Sequence, residues 1–341
     1  MKKKPIKIIF TAVLLILLTR LLAKTDFTEL IASLKQIRLS LLLLLLGIQI
    51  LTEGLLVFQW CRLAELMGLT APFSLMLFIN AKGTVMEAIT PGAKMGGEVL
   101  RAVLFRERLG YTANQSTALI AIQKIISVGA LVTINLLSLL FFSAANPFLT
   151  SEITRYAVLA TLLLLLATFF VLLFRGEWLS RVLSRYQWRG KWFIVVKNWV
   201  TEFAGYAQAV SEQRQQLLLQ FLLSVFIWGL FPTKLMLLVR PFGNSQSFLA
   251  LVATTLASYL IAMVGIFPGG LGSFEVSMSS MLMALGLAAE QGLTISLSFR
   301  FVTFWFVVFV SLAVAALDSF RPYRTALCSL VARSQCKEQR L

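Results

Sequence analysis

Two Pro-Gly dipeptides interrupt long apolar stretches of this sequence, one at Pro91-Gly92 and the other at Pro268-Gly269. In both places five residues separate the dipeptide from a glutamate, Glu98 in the first and Glu275 in the second. Proline lacks a backbone N–H and glycine resists helical order, so each dipeptide predicts that one helix ends and another begins. Broken helices at matching places in two halves of a membrane protein are typical of a transporter binding site.

The apolar stretches around these breaks are long enough to cross a bilayer. The chain is 58% hydrophobic and 13% charged, whereas soluble domains have roughly 25% charged residues. We therefore expect an all-α polytopic membrane protein with about six full spans and two Pro-Gly-broken, re-entrant helical hairpins. The predicted spans are 6–23 (uncleaved), 40–60, 113–142, 154–174, 216–239 and 294–317. The predicted hairpins are 71–90 with 98–110, and 248–267 with 273–289.

The domain organisation follows from this division. Residues 1–318 are predicted to form one transmembrane domain, with half-repeats at 1–174 and 216–318. An amphipathic cytoplasmic segment, 175–215, joins the halves, and a basic cytoplasmic tail follows at 319–341. Two interpretations of the joining segment stay open: helices lying in the membrane interface, or a linker helix packed on the bundle.

Lysine and arginine counts predict the orientation. A cytoplasmic N-terminus places 21 of the 31 basic residues on the cytoplasmic side, and the C-terminus lies there too. The first broken segment then enters from the cytoplasm and the second from the opposite side, which predicts an inverted pseudo-two-fold repeat. The segments 248–267 and 273–289 are also long enough for an alternative in which each spans fully.

The composition excludes several kinds of chemistry. The sequence has no histidine, so His-dependent nucleophilic and metal chemistry cannot occur. Its three cysteines lack metal-ligand spacing, and we expect neither a disulfide, a metal, a cofactor nor a catalytic residue. The net charge is +16, and the basic residues flank apolar spans. This position predicts anionic lipid headgroups, not nucleic acid, as the partner.

Each break can supply an anion site. A helix that restarts after Pro91-Gly92 leaves unpaired N–H groups and a positive dipole end, which suit phosphate or carboxylate. Lys94 and Arg101 lie close by in sequence, whereas the second break has a similar helix end near Gly272 without basic neighbours. The alternative is that Glu98 and Glu275 only cap the new helices as first-turn acids.

Four ionisable residues fall inside apolar segments: Glu53, Glu87, Lys124 and Arg300. Each costs roughly 2.5–3.5 kcal/mol at the centre of a span, so such groups usually face a cavity or pair with one another. Glu87 with Lys124, or Glu98 with Arg300, are candidate pairs. Glu53 and Lys124 can equally be explained by snorkelling or a structural ion pair.

Lys234 lies close enough to a predicted span end for its amine to snorkel to the interface.

Several of these motifs resemble a known family. Gln59-Trp60-Cys61-Arg62-Leu63, Gly96-Gly97-Glu98 with Arg101-Ala102, Gln123-Lys124 and Phe267-Pro268-Gly269-Gly270-Leu271-Gly272 with Glu275 are similar to the lysylphosphatidylglycerol synthase transmembrane-region family. This family is also the flippase half of multiple peptide resistance proteins. The resemblance covers roughly residues 6–318. It implies a bundle with re-entrant helices that moves phospholipids between leaflets, without the soluble aminoacyl-transferase domain of the larger members.

The resemblance also implies which residues line the lipid path. By motif position they are Pro91, Gly92, Gly97, Glu98, Arg101, Pro268, Gly269, Gly270, Gly272 and Glu275. Together with Glu87, Lys94, Lys124 and Arg300, these are the predicted substrate-binding residues.

The function expected from sequence is that of a lipid translocase in a bacterial inner membrane. An anionic headgroup, from a phospholipid or a polyprenyl phosphate, would be held by the helix ends with Lys94, Arg101 and Arg300. Glu87, Glu98 and Glu275 would gate the path or pair with an amine-bearing headgroup. The alternatives are a membrane subunit that partners a separate glycosyl- or aminoacyl-transferase, and an exporter of small polar solutes. A homo-oligomer is compatible with each.

Overall fold

A computed structural model describes residues 35–90, 95–142, 152–175, 191–243, 246–264 and 268–319. The helices are α1 (Leu39–Leu66), α2 (Phe73–Ile89), α3 (Met95–Leu109), α4 (Ala113–Phe142), α5 (Glu152–Phe174), α6 (Lys191–Glu212), α7 (Arg214–Val239), α8 (Phe248–Val264), α9 (Ser273–Ala284), α10 (Ala289–Arg300) and α11 (Phe306–Ser319). Short 3-10 turns lie at Arg240–Phe242 and Pro268–Gly270, and a π-helical segment, Phe301–Trp305, joins α10 to α11. The predicted first span, 6–23, and nearly all of the basic tail lie outside the described residues.

Four of the described helices are long and apolar enough to cross a membrane: Leu39–Leu66, Ala113–Leu139, Arg214–Phe242 and Ala289–Leu317. Two shorter apolar helices lie at Leu159–Phe174 and Phe248–Met263. In a bilayer the helix is favoured because it satisfies every backbone N–H and C=O within one segment. The protein is therefore a multi-pass membrane protein whose described secondary structure is entirely helical, as predicted, while the count of six spans stays a prediction.

Helices α1 and α7 pack side by side in opposite directions. Gln213, which precedes α7, donates from Nε2 to the Leu66 carbonyl at the end of α1, over 3.2 Å. Further along α7, Lys234 donates to Gln49, which lies in the first half of α1. Residue numbers thus fall along α1 as they rise along α7, so the two helices are antiparallel.

Helices α2 and α3, which flank the first Pro-Gly break in sequence, form a helical hairpin. Its helices, α2 and α3, have 17 and 15 residues, so they are about 25 and 22 Å long, less than the ~30 Å of a hydrocarbon core. The two helices pack extensively on each other. At the base, the Tyr111 hydroxyl donates to the Thr70 carbonyl over 2.5 Å. Both outer ends of this hairpin therefore lie at the same level of the bundle.

The second break has the same arrangement. Its helices, α8 and α9, have 17 and 12 residues, which makes α9 only about 18 Å long. Gln246, ahead of α8, donates from Nε2 to the Leu285 carbonyl after α9, over 2.7 Å. The base of this hairpin is thus also closed by one side-chain-to-backbone hydrogen bond.

The two hairpin bases lie at opposite ends of the bundle. The end of α1 and the start of α7 meet beside the first base, through the contact between Leu66 and Gln213. Helix α7 then runs for 26 residues, about 39 Å, and the second base follows within a few residues of its far end. Helix α4 also connects the two ends of the bundle. It begins just after Tyr111 at the first base, and near its far end Ser138 donates to the Leu249 carbonyl at the start of α8.

A separate hydrophobic core surrounds each hairpin. The first contains Trp60, Phe105 and Leu119, and the second contains Leu238, Phe274 and Phe299, all of them buried. Two smaller clusters join α4 to α8 and α4 to α5, so the apolar packing of the described residues is distributed over four clusters.

Helix α6 lies against the first core. Its Phe203, Ala207 and Val210 are buried there, and the indole N–H of Trp199 donates to Thr117 in α4 over 2.7 Å. Helix α6 therefore packs on the bundle over 191–212, while its position relative to the membrane interface stays a prediction. Residues 176–190 lie outside the described part of the chain.

Candidate functional site: a charged cavity between the two breaks

A cavity of about 190 Å³ lies between the helices of the first hairpin and the second Pro-Gly break. Its charged lining residues are Glu53, Glu87, Glu98, Arg101 and Lys124. Gly269 of the second break lines the opposite side, with Tyr259, Thr303 and Phe304. The remaining wall is formed by α1, α7 and α11, through residues that include Trp60, Trp228, Phe231 and Val307. The first hairpin and the second break thus border one internal space, whose lining combines charged, uncharged polar and apolar side chains.

Helix α2 presents a polar stripe to this cavity. Asn80, Thr84 and Glu87 all line it, and their spacing of four and three residues places them on one helical face. Sequence reasoning identified Glu87 but missed Asn80 and Thr84. The signal was available, because polar residues at helical spacing in an otherwise apolar segment predict a face turned away from lipid.

Arg101 of α3 ties the first hairpin together. Its guanidinium donates to the Glu87 carboxylate in α2, and lies 3.4 Å from both Thr84 Oγ1 and Glu98 Oε1. The side chain is only 6% exposed. Room for it exists because α2 has a glycine opposite, Gly83, where an added Cβ would lie 2.5 Å from the arginine Nε. Arg101 therefore serves first as the internal counterion of two partly buried carboxylates.

Glu98 connects this hairpin to α4. Its Oε1 lies 2.6 Å from Nζ of Lys124, whose side chain is 42% exposed, whereas that of Glu98 is 16% exposed. The second oxygen, Oε2, is buried and has no hydrogen-bond partner among the described residues. The pair thus brings to the cavity wall an accessible ammonium and a carboxylate oxygen with spare accepting capacity.

The two candidate ion pairs from sequence were both wrong. Among the described residues, Lys124 pairs with Glu98, not with Glu87, and Arg300 pairs with Glu275, not with Glu98. Glu87 and Arg300, two of the ionisable residues that interrupt apolar segments, lie largely inside the bundle, whereas Lys124 is 42% exposed. Their partners are set by which helices become neighbours, since α3 packs on both α2 and α4.

The glycines of the second break are required by the backbone. Gly269, Gly270 and Gly272 have φ of 62°, 69° and 81°, a left-handed region that other residues rarely adopt. A Cβ on Gly269 would also lie 2.5 Å from the Phe304 ring, and one on Gly270 would lie 3.0 Å from Ala262. Of the three, only Gly269 lines the cavity.

Glu275 and Arg300 fasten this break from inside. The Gly272 N–H donates to Glu275 Oε2 over 2.7 Å, and the other carboxylate oxygen lies 3.3 Å from Arg300 Nε. Arg300 also donates to the Gly269 carbonyl, and its guanidinium lies over the rings of Phe274 and Phe304 at 4.9 and 4.2 Å. For Glu275, the capping interpretation therefore describes the geometry. Arg300, 6% exposed, is engaged with the break and is absent from the cavity lining described above.

The other predicted site residues have varied positions. Gly97 packs against α2, where an added Cβ would clash with Glu87 and lie 2.5 Å from the Gly83 carbonyl oxygen. Pro268 begins the 3-10 turn of the second break. Pro91, Gly92 and Lys94 lie outside the described residues.

Lys234 does not snorkel. It is fully buried, donates to Gln49, and lies 3.3 Å from Thr52 Oγ1 and 4.1 Å from the centre of the Phe231 ring. Gln49 in turn donates to Glu53 over 3.0 Å. The snorkelling prediction failed because α1 covers this part of α7 and supplies polar partners. Lys234 and Glu53 are thus linked through one glutamine at the cavity wall.

The described helices form a membrane bundle with a charged internal cavity. This arrangement places the protein in the class of polytopic membrane proteins with an internal polar site. A sequence model of the lysylphosphatidylglycerol synthase TM region matches residues 6–311. The chain therefore belongs to this family, which confirms the resemblance drawn from its motifs.

Relatives support the assignment over most of the chain. It is 23% identical over 237 residues to the UPF0104 membrane protein PH1989 of Pyrococcus horikoshii, covering 65% of this chain and 70% of that protein. It is also 23% identical over 253 residues to a UPF0104 membrane protein of Methanothermobacter thermautotrophicus, covering 70% of this chain and 73% of that protein.

Proposed function

We propose that this protein is a lipid translocase that holds a charged headgroup in the cavity between the two hairpin tips. The observation that carries the proposal is the Glu98–Lys124 pair at the cavity wall, with Lys124 42% exposed. A charged group inside a membrane bundle is costly and usually marks a path for a polar substrate. A lipid-related role also agrees with the family, whose description names a synthase of a phospholipid.

The headgroup would replace part of the Glu98–Lys124 contact. A phosphate accepts hydrogen bonds from the Lys124 ammonium, and the N-terminal end of α3, near Met95, adds a favourable dipole. A hydroxyl or ammonium on the same headgroup donates to Glu98 Oε2, which has no partner among the described residues. The acyl chains stay in the bilayer, because the outer surfaces of α1, α5 and α7 carry exposed apolar side chains such as Leu43, Phe170 and Leu222.

We further propose that both hairpins are re-entrant and related by an inverted two-fold axis. The lengths of α2, α3, α8 and α9, all below the ~30 Å of a hydrocarbon core, support this arrangement, as do their bases at opposite ends of the bundle. The first base carries Arg62, Arg106 and Arg108, which favours the cytoplasmic side of a bacterial inner membrane. A substrate between the tips could then be reached from either side in turn.

Translocation can be tested with the purified protein in liposomes that contain fluorescent phospholipids. A quencher added outside reports how fast labelled lipid leaves the inner leaflet. The wild-type protein is expected to accelerate this exchange over protein-free liposomes. Glu98→Gln and Lys124→Gln are expected to slow it about tenfold or more, because each removes a charge-assisted contact worth roughly 1.5–3 kcal/mol.

The matched control is Glu107→Gln, an exposed glutamate on the same helix, α3, as Glu98. It is expected to exchange lipid at the wild-type rate, and melting curves of all variants separate loss of activity from loss of fold. Wild-type rates in folded Glu98→Gln and Lys124→Gln would remove both residues from the mechanism. A wild-type protein that moves no lipid but releases a trapped polar solute would favour the exporter instead.

A further inference from the structure

A second site, distinct from the charged cavity, lies on the outer surface of the bundle. It is a groove of about 450 Å³ between α4, the last turns of α5 and the first turns of α7. Every residue that lines it is apolar except Arg214, the first residue of α7. The flanking side chains of Phe170, Phe174 and Leu218 are 58%, 44% and 56% exposed, so the groove is open to the surrounding lipid.

The groove has a basic end. Arg214 is exposed, and so is Arg175, which directly follows Phe174 at the end of α5. Within the described part of the chain neither side chain has an ion pair or a hydrogen bond. Two guanidinium groups that lack a partner among the described residues, at the ends of two bordering helices, favour a phosphate or another anion, which arginine binds in a bidentate manner.

We infer that this groove binds one anionic phospholipid, with an acyl chain along its apolar floor and its phosphate at Arg214 and Arg175. An apolar slot in a membrane protein needs atoms to fill it, because unfilled lining loses its dispersion contacts. The charge at one end selects an anionic lipid over a zwitterionic one, whose own cation competes for the phosphate. This site is independent of the proposed translocation path, which lies between the hairpin tips.

Gly129 of α4 forms part of the floor and provides the means to test the site. A Cβ built there would find a single neighbour within 4 Å, Phe169 Cδ2 at 3.9 Å, so a larger side chain would project into the groove without a backbone clash. Gly129→Leu is therefore expected to add side-chain atoms to the groove without a backbone clash at Cβ. Gly47→Leu in α1, where a Cβ meets nothing within 4 Å, is the matched control.

Native mass spectrometry of the detergent-purified full chain gives the affinity directly, with added phosphatidylglycerol or phosphatidylcholine. The wild type is expected to retain one phosphatidylglycerol about tenfold more tightly than phosphatidylcholine. Arg214→Gln is expected to abolish this preference, and Gly129→Leu to abolish retention of both lipids. Gly47→Leu, and Arg240→Gln at the other end of α7, are expected to behave as wild type.

A photo-reactive benzophenone amino acid in place of Phe170 identifies the occupant independently. Illumination in phosphatidylglycerol vesicles is expected to produce a lipid adduct on α5. Equal retention of the two lipids by the wild type, or unchanged retention by Gly129→Leu, would overturn the inference. An adduct to a second copy, or to another segment of the same chain, would overturn it as well, and neither result depends on whether the protein moves lipid.

Discussion

Single charged residues inside this bundle are matched to partners on neighbouring helices. Arg101 neutralises Glu87 and Glu98, and Arg300 neutralises Glu275 while it holds the Gly269 carbonyl. In a low-dielectric interior, removal of one partner costs much more than the pair contributes, because the other charge stays buried. The charged residues thus stabilise the hairpins whatever else they do.

Arg101→Met tests this at the residue scale. Its loss leaves two carboxylates without their guanidinium, and we expect the free energy of unfolding to fall by about 3–5 kcal/mol. Thermal melts in detergent measure the effect, with Arg106→Met, an exposed arginine on the same helix, as the control. Adding Glu87→Gln to Arg101→Met should recover part of the loss, and a melting temperature equal to the wild type in Arg101→Met would contradict the assigned role.

The identity of the charged residues could be predicted from sequence, but their pairing could not. Glu87, Lys124 and Arg300 stand out because each interrupts an apolar run, and that is a local property. Which carboxylate meets which cation depends on the order of helices around the bundle, which no local pattern encodes. Lys234 shows the same limit, since its burial depends on Gln49 and Thr52 of α1, far away in sequence.

At the scale of elements, the two hairpins hold their paired helices together in different ways. In the first, α2 and α3 approach closely through Gly83 and Gly97, and an arginine spans the gap. In the second, three left-handed glycines turn the chain, and Arg300 from α10 holds the turn against Phe274 and Phe304.

Gly269→Ala tests the left-handed glycine turn of the second hairpin. Alanine is strained at a φ of 62° and its Cβ would meet Phe304, so the free energy of unfolding should fall by about 1–3 kcal/mol from the strain alone. Phe304→Ala in the same chain should relieve the clash but not the strain, and so restore only part of the loss. Gly47→Ala in α1 should leave stability unchanged or slightly raised. Equal melting temperatures for Gly269→Ala and Gly47→Ala would count against the left-handed turn.

The break points of these elements were predictable because proline and glycine act locally. The helices α2, α8 and α9 begin and end within a few residues of the predicted segments. Sequence alone left open whether 248–267 and 273–289 each span the membrane. The residues that close the hairpin bases were not predicted, because Tyr111 and Gln246 bond to carbonyls some 40 residues away.

At the scale of the whole molecule, the two bases at opposite ends of the bundle make a topological prediction. Cysteine introduced at Glu107, beside the first base, should react with an impermeant maleimide only after the membrane is opened. Cysteine at Ser247, beside the second base, should react in intact cells. Both positions are exposed, and Cys61, Cys328 and Cys336 are first replaced to remove background. Labelling of both positions from one side would exclude opposed hairpins.

The hydrogen bond at each base joins one side chain to one peptide carbonyl. Every amino acid carries that carbonyl, so Thr70 and Leu285 can be exchanged for other residues and still accept the bond. The donors, Tyr111 and Gln246, cannot be exchanged as freely, because Tyr111→Phe or Gln246→Leu removes the donor group and with it the hydrogen bond. We therefore expect substitutions to be tolerated at Thr70 and Leu285, which only accept through the backbone, and to be restricted at the Tyr111 phenol and the Gln246 carboxamide.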